Sequence, residues 1–159
     1  MSKTLLDTHA LFTESLKNAG KAHATVIAYS KDVEQPVDFA TKLGKTQIDE
    51  ITSEDINEFK VLLHKQRYTG KSISRKINSI KAFFRFLISQ SIIVNNPADI
   101  VAHPKYDQAP PRVLSKVEYR ALRDSCRGDV RMSAVVELLL QTGMRISELA
   151  SLQVADVDF

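Results

Sequence analysis

The 159-residue sequence has a single cysteine, no long hydrophobic run and only scattered histidines. Cys126 cannot form an internal disulfide, which is compatible with a reducing cytoplasm. No apolar run approaches the roughly 20 residues needed to span a bilayer, and the first residues lack the apolar core of a signal peptide. The four histidines lie far apart and beside no second ligand at metal spacing, which argues against a zinc site. We therefore expect a soluble cytoplasmic protein with no membrane segment and no bound metal.

The distribution of charge is more informative than the net charge of +3. No acidic residue occurs between Glu58 and Asp99, whereas exposed helix faces usually interleave both signs. A block of one sign this long favours a polyanionic partner, and a merely solvated face is the alternative. Its eight basic residues are Lys60, Lys65, Arg67, Lys71, Arg75, Lys76, Lys81 and Arg85.

Hydrophobic periodicity predicts a succession of helices in the first hundred residues. The first runs from Leu5 to Lys17, and the second from about Thr25 to Gly44, with Pro36 inside it either kinking the helix or splitting it in two. Thr52 or Ser53 begins the third, which ends before Gly70.

The fourth predicted helix, from Ser72 to Gln90, is strongly amphipathic. Its apolar side chains share a stripe about 100° wide at 100° per residue, and the basic side chains gather on the opposite side. Ser72 and Ser74 lie at the N-terminus of the helix as short hydroxyl donors. A helix N-terminus with such side chains suits phosphate contacts, because free N–H groups point outward there. The stripe consists of Ile73, Ile77, Ile80, Phe84, Leu87 and Ile88, and the basic side is formed by Lys71, Arg75, Lys81 and Arg85.

Prolines interrupt the helical pattern after this helix and predict a linker. They occur in Asn95-Asn96-Pro97 and in the stretch 103–111. Helices resume at Ser115, which forms a capping box with Glu118. The last residues, Val154, Val157 and Phe159, suggest the beginning of a β-strand.

The segment from Gln141 to Leu149 is the most distinctive part of the chain. An apolar helix breaks at Thr142-Gly143 and restarts with Arg145 in the first turn of a new helix, which places a guanidinium at an elbow that we expect to be buried. Glu148 lies at i+3, close enough to hold the arginine in one orientation. The alternative for such a pair is an ordinary ion pair at a helix start.

Together with what precedes it, this segment resembles the tyrosine recombinases, the family of phage integrases and bacterial Xer proteins. The elbow matches the pattern T-G-x-R-x-S-E-L, and further matching stretches are T-V-I-A-Y-S-K-D at 25–32, S-I-S-R-K-I-N-S-I-K-A-F-F-R-F-L at 72–87 and N-N-P-A at 95–98. The resemblance implies a mainly α fold. A SAM-like core-binding bundle of four to five helices would cover 1–103, a linker 104–113, and a partial, mostly helical piece of the catalytic domain 114–159.

The resemblance also implies roles for individual residues. Arg145 would be the first of two catalytic arginines, gripping the nonbridging oxygens of a phosphodiester, and Glu148 would orient it. The implied DNA contacts are Lys71, Ser72, Ser74, Arg75, Lys76, Lys81 and Arg85, with Thr25 and Tyr29 from the second helix. The side chain of Tyr29 could equally pack in the core.

Family members cut and rejoin double-stranded DNA through a phosphotyrosine, as tetramers and without a cofactor. All four tyrosines of this chain precede Arg145 and match no nucleophile position. We therefore expect the chain to bind DNA without cleaving it, to be monomeric alone, and to fold loosely in its C-terminal part. A deliberate truncation, a fragment and a broken gene would each explain this. The alternatives are a short accessory DNA-binding protein and a helical protein-interaction module.

Overall fold

A computed structural model describes residues 3–107 and 110–157. Within these ranges the chain consists of seven α-helices and two 3-10 turns, with no β-strand. The predicted mainly α fold is therefore confirmed. The chain divides into two compact units, residues 1–107 (the core unit) and residues 108–159 (the C-terminal unit). No helix of the described ranges is both long and apolar enough to cross a bilayer.

Four helices build the core unit. They are α1 (Leu5–Asn18), α2 (His23–Lys42), α3 (Ser53–Lys65) and α4 (Gly70–Ser89), with a 3-10 turn at Ile48–Glu50 between α2 and α3.

Threonine side chains begin three of these helices, because each hydroxyl accepts a hydrogen bond from an otherwise unpaired N–H of the first turn. Thr4 caps α1 and Thr52 caps α3. Thr69 accepts from the N–H of Ser72 at 3.2 Å, so α4 begins at Gly70 rather than at the predicted Ser72.

Pro36 lies inside α2 and does not split it. The helix is continuous over His23–Lys42 and begins two residues before the predicted Thr25. A proline in a helix interior removes one backbone hydrogen bond. Here the flanking turns pack against the core through Val33, Val37 and Ala40, which are all at most 2% exposed.

The core is centred on α4, which contacts α1, α2 and α3. Because α4 is covered on three sides, its buried arc is wider than the predicted stripe and extends to Phe83, which is 2% exposed. The ring of Phe12 on α1 lies 5.4 Å from that of Phe83 in an edge-to-face arrangement. The predicted burial of Ile88 as part of the stripe is wrong. It lies in the last turn of α4, at the opposite edge of the buried arc, and is 37% exposed.

The chain after α4 stays with the core unit for another dozen residues. Asn96 accepts a hydrogen bond from the N–H of Ala98 at 2.9 Å and so stabilises the turn that contains Pro97. Ala98 and Val101 are then buried at 0% and 1% exposure. As a result, the segment 99–103 lies along α3 and α4, where Lys60 and Lys81 donate hydrogen bonds to its carbonyl groups.

The C-terminal unit contains α5 (Lys116–Ser125), α6 (Val130–Thr142), α7 (Ile146–Ser151) and a 3-10 turn at Val154–Asp156. The predicted capping box at the start of α5 is confirmed, because Ser115 Oγ accepts from the N–H of Glu118 at 3.2 Å and Glu118 accepts from that of Ser115 at 2.9 Å. Among the described residues 110–157, Cys126 alone is buried, at 9% exposure.

The predicted strand at the end of the chain is wrong for the residues that the structure describes. Val154 lies in the 3-10 turn, which Asp156 closes by accepting a hydrogen bond from the N–H of Gln153 at 2.9 Å. A strand needs a neighbour to pair its backbone groups, and the described part of this unit offers none. Phe159, the third residue of that prediction, lies outside the described residues.

Candidate nucleic-acid interface

The outward side of α4 carries the basic side chains expected from the sequence. Lys71, Arg75 and Arg85 are exposed and Lys81 is half-buried, and these four residues are called the α4 basic face below. They lie between positions 71 and 85 of one helix, and the 14 steps from the first to the last correspond to about 21 Å at 1.5 Å per residue. The positive side chains can therefore reach several successive phosphates of a DNA strand.

Two predicted hydroxyl donors lie at the N-terminal end of this face, and both are half-buried. Ser72 Oγ accepts a hydrogen bond from the hydroxyl of Thr69 at 3.0 Å. Ser74 Oγ lies 3.0 Å from His103 Nδ1. Ser74 thus connects the α4 basic face to the segment that follows the bundle.

Lys76 does not lie on the surface, contrary to its assignment among the DNA contacts. It is 4% exposed, and its ammonium donates to Asp32 Oδ1 at 3.1 Å. The ammonium also lies 5.2 Å from the ring centroid of Tyr68, in a cation–π contact. Because Lys76 follows Arg75 by about 100° around the helix, it turns inward where its neighbour turns outward.

Asp32 of α2 joins the two neighbouring cations. It is 2% exposed, and its carboxylate accepts from Lys76, from Ser79 Oγ at 2.9 Å and from Arg75 Nη1. The Arg75 side chain remains 55% exposed, so its bond to Asp32 restrains the guanidinium while more than half of the side chain stays in solvent. Sequence reasoning missed this role, although Asp32 is the last residue of the matched stretch at 25–32.

The two candidate contacts on α2 are both half-buried. The ring of Tyr29 packs edge-to-face on Phe12, with centroids 6.3 Å apart, so much of it belongs to the wall of the core. Thr25 lies in the first turn of α2.

The elbow of the C-terminal unit is formed as the sequence indicates, around a left-handed residue. Gly143 ends α6 with φ +67° and donates to the carbonyl of Leu139 at 3.0 Å, a conformation that glycine adopts without strain. The hydroxyl of Thr142 accepts from the N–H of Met144 at 3.2 Å and donates to the carbonyl of Leu138 at 2.6 Å. Sequence reasoning gave no role to Thr142, which fixes the turn that precedes Arg145.

Arg145 and Glu148 form the expected pair. Arg145 Nη1 donates to Glu148 Oε1 at 2.8 Å, and the backbone N–H of Arg145 donates to Oε2 at 2.7 Å. Both bonds lower the pKa of Glu148 below its ordinary value, and the bond from the backbone N–H has a larger effect than the bond from the guanidinium. The predicted buried elbow is wrong, because Arg145 is the N-cap of α7 and its side chain is 81% exposed. Within the described residues 110–157, no side chain buries the guanidinium of Arg145.

Comparison with known families agrees with this architecture. The model of the phage integrase N-terminal SAM-like domain matches residues 10–91, and the phage integrase family model matches residues 112–159. The first match covers the helical bundle, and the second contains the Arg145 elbow. The chain belongs to the phage integrase family of tyrosine recombinases.

Curated relatives are bacterial recombinases. The chain is 34% identical over 140 residues to tyrosine recombinase XerD of Rickettsia conorii, a match that covers 84% of this chain and 45% of the relative. It is 31% identical over 139 residues to XerC of Roseiflexus sp., covering 84% of this chain and 44% of the relative. The chain thus spans somewhat less than half the length of these two relatives.

Solved structures share the fold. A lambda integrase dimer bound to a COC' core site superposes with a TM-score of 0.77 at 19% identity, over 99% of this chain and 44% of that one. The Tn1549 transposon integrase in complex with transposon right end DNA gives a TM-score of 0.72 at 25% identity, over 98% of this chain and 50% of that one.

Proposed function

We propose that this chain is the DNA-binding portion of a site-specific tyrosine recombinase, and that it binds double-stranded DNA in the cytoplasm without cleaving it. The α4 basic face is the observation that carries the proposal. It presents four cationic side chains on one side of one helix, at a place where the sequence has no acidic residue for forty positions. Support comes from integrases of the same fold whose structures contain DNA.

The chemistry of the face suits phosphates rather than bases. Long cationic side chains neutralise the DNA backbone at any sequence, and the N-terminal turn of α4 adds backbone N–H groups and hydroxyls. Such contacts position a protein on a duplex without encoding its target. Arg75 is favoured among them, because its bond to Asp32 restrains the side chain before DNA arrives.

Arg145 would act at the scissile phosphate. Its planar fork can bind two phosphate oxygens, and the bond to Glu148 fixes its orientation at the start of α7. Glu148 is a positioning residue in this proposal. No tyrosine follows Arg145 within these 159 residues, and for this reason the proposal gives the chain DNA binding and not strand cleavage.

Assembly is proposed from the relatives. A lambda integrase tetramer has been solved on a Holliday junction. By similarity, a recombinase with the full length of these relatives would act as a tetramer on DNA, whereas this chain alone would be monomeric.

Fluorescence anisotropy of a labelled duplex across a salt series tests the proposal. We expect log Kd to rise steeply with log salt, since each phosphate contact contributes about 0.9 to the slope. Lys71→Gln and Arg85→Gln would each lower the slope by about one contact. Lys17→Gln, at an exposed lysine of α1, is the matched control and leaves the slope unchanged.

Two results would contradict the proposal. Absent or salt-independent duplex binding would favour a protein-interaction module instead. A covalent protein–DNA adduct on a nicked substrate would refute the absence of cleavage.

A further inference from the structure

A cluster of polar side chains that shares Lys81 with the α4 basic face lies where three parts of the core unit meet. It consists of Lys60 from α3, Ser74 and Lys81 from α4, and His103 from the segment after the bundle, and is called the His103 corner below. His103 Nδ1 lies 3.0 Å from Ser74 Oγ. Lys60 donates to the carbonyl of Ala102 at 3.2 Å, and Lys81 donates to that of Asp99 at 3.3 Å.

The corner is positive and lacks a negative partner. Among the described residues neither lysine forms an ion pair with a carboxylate; their hydrogen bonds go to neutral carbonyl groups. Each ammonium has three donors, and the two bonds found here use one of them on each lysine. The carboxylate of Asp99, on the same segment as His103, is turned to the side chain of Asn96 at 2.8 Å.

His103 is the titratable group of this corner. The pKa of His103 is lowered below its ordinary value. Partial desolvation of the ring is the largest cause, and the positive charges of Lys81 and Lys60 follow. Those two lysines are the charged side chains that face the ring from α4 and α3. At neutral pH the free protein therefore holds the imidazole in its uncharged form.

We infer that the His103 corner binds a backbone phosphate of duplex DNA, and that the imidazole takes up a proton when the phosphate binds. The inference rests on the proposed DNA-binding function, and it adds a contact from α3 and from the segment after α4. Ser74 makes the corner continuous with the α4 basic face, because it lies on the same side of α4 as Lys71 and Lys81.

Proton uptake follows from the charges. A bound phosphate places negative charge beside the ring and offsets the lysines, so the imidazolium becomes favoured. In the imidazolium both ring nitrogens are donors, so Nδ1–H must donate to Ser74 Oγ. The hydroxyl hydrogen of Ser74 and the Nε2–H are then left for phosphate oxygens.

The binding of DNA is consequently expected to depend on pH. A ligand that raises the pKa of a group binds more tightly as pH falls through the interval between the free and bound pKa values. One proton limits the gain to roughly tenfold per pH unit in that interval. We expect Kd at pH 6 to be about three- to tenfold lower than at pH 8, at constant ionic strength.

Two measurements on the full chain test this. An NMR titration follows the His103 ring with and without duplex, and anisotropy gives Kd at both pH values. We expect duplex to raise the pKa of His103, and we expect His103→Gln to abolish the pH dependence of Kd, because glutamine has no titratable ring. His64→Gln, which removes an exposed histidine of α3, is the matched control and keeps the pH dependence.

The outcomes separate this inference from the proposed function. If the unsubstituted chain does not bind duplex at either pH, both the proposed function and this inference are wrong. Duplex binding that leaves the pKa of His103 unchanged, or a pH dependence that survives in His103→Gln, would overturn this inference alone. If inorganic phosphate shifts the His103 resonances and duplex does not, the corner binds free anions and the assignment to DNA is wrong.

Discussion

The stability of the core unit is expected to depend strongly on the buried ion pair between Asp32 and Lys76. Asp32 is 2% exposed and Lys76 is 4% exposed, so both charges are withdrawn from water. Asp32→Ala leaves the ammonium of Lys76 buried without its carboxylate. Breaking a buried pair in this way costs about 3–5 kcal/mol, a large part of the stability of a small domain.

The converse substitution is expected to cost less. In Lys76→Met the carboxylate keeps its bonds from Ser79 and from the half-exposed Arg75. Methionine has a similar length and fills the same space, so we expect a loss of about 1–2 kcal/mol for the missing charge-assisted hydrogen bond. The double variant Asp32→Ala with Lys76→Met is then more stable than Asp32→Ala alone, because no unpaired ammonium is left.

Amide hydrogen exchange along α4 is the suitable assay, because it reports on the core unit separately from the C-terminal unit. A loss of 3–5 kcal/mol lowers the protection of the slowest α4 amides by roughly two to four orders of magnitude. The control is Asp38→Ala, which changes an exposed aspartate of α2, the helix that also contains Asp32. Its free energy of unfolding is expected within about 0.5 kcal/mol of that of the parent. Equal losses in Asp32→Ala and Lys76→Met, or a double variant no more stable than Asp32→Ala, would refute the reasoning.

Three further predictions concern local structure. Thr52→Ala removes the cap of α3 and is expected to cost about 1 kcal/mol by amide exchange in that helix; an unchanged exchange rate would contradict the role of the cap. Gly44→Ala is expected to cost about 1–2 kcal/mol in thermal unfolding, because φ is +82° although no heavy atom lies within 4 Å of the added Cβ; a neutral result would show that the backbone relaxes. Arg145→Gln is expected to raise the pKa of Glu148 in a carbon-13 NMR titration. The rise stops short of the ordinary value, because the hydrogen bond from the backbone N–H of residue 145 lowers this pKa more than the guanidinium does and is kept in the variant. Glu148 binds as the carboxylate, so its pairing is present at neutral pH and is lost as pH falls through the lowered pKa; a pKa unchanged by the substitution would contradict the guanidinium contact.

The local features of the fold could be predicted from the sequence because they depend on near neighbours. Hydrophobic periodicity located α1 to α4, and short polar residues marked their starts at Thr52 and Ser115. The elbow was equally local, because Gly143 supplies the left-handed turn and Glu148 lies three residues after Arg145.

Burial could not be predicted in the same way, because it depends on distant partners. The helical wheel places Lys76 next to the apolar stripe of α4, but its partner Asp32 lies 44 positions away in the chain, so the buried ion pair could not be inferred from local sequence. Arg145 was expected in a buried elbow, but its exposure depends on how much apolar mass the unit packs around it, and in the described residues 110–157 only Cys126 is buried.

Counting basic residues overstates the charge that this chain presents to DNA. Arg75 and Lys76 are adjacent in sequence, but only Arg75 can reach a phosphate, because the ammonium of Lys76 is buried against the carboxylate of Asp32. Lys76 has no route to a phosphate, while Arg75 keeps more than half of its surface in solvent. The trio is therefore expected to contribute to the salt dependence of DNA binding as about one phosphate contact. Arg75→Gln would lower the slope by that amount, and Lys76→Met would leave it unchanged, because the charge that Lys76→Met removes was never available to the duplex.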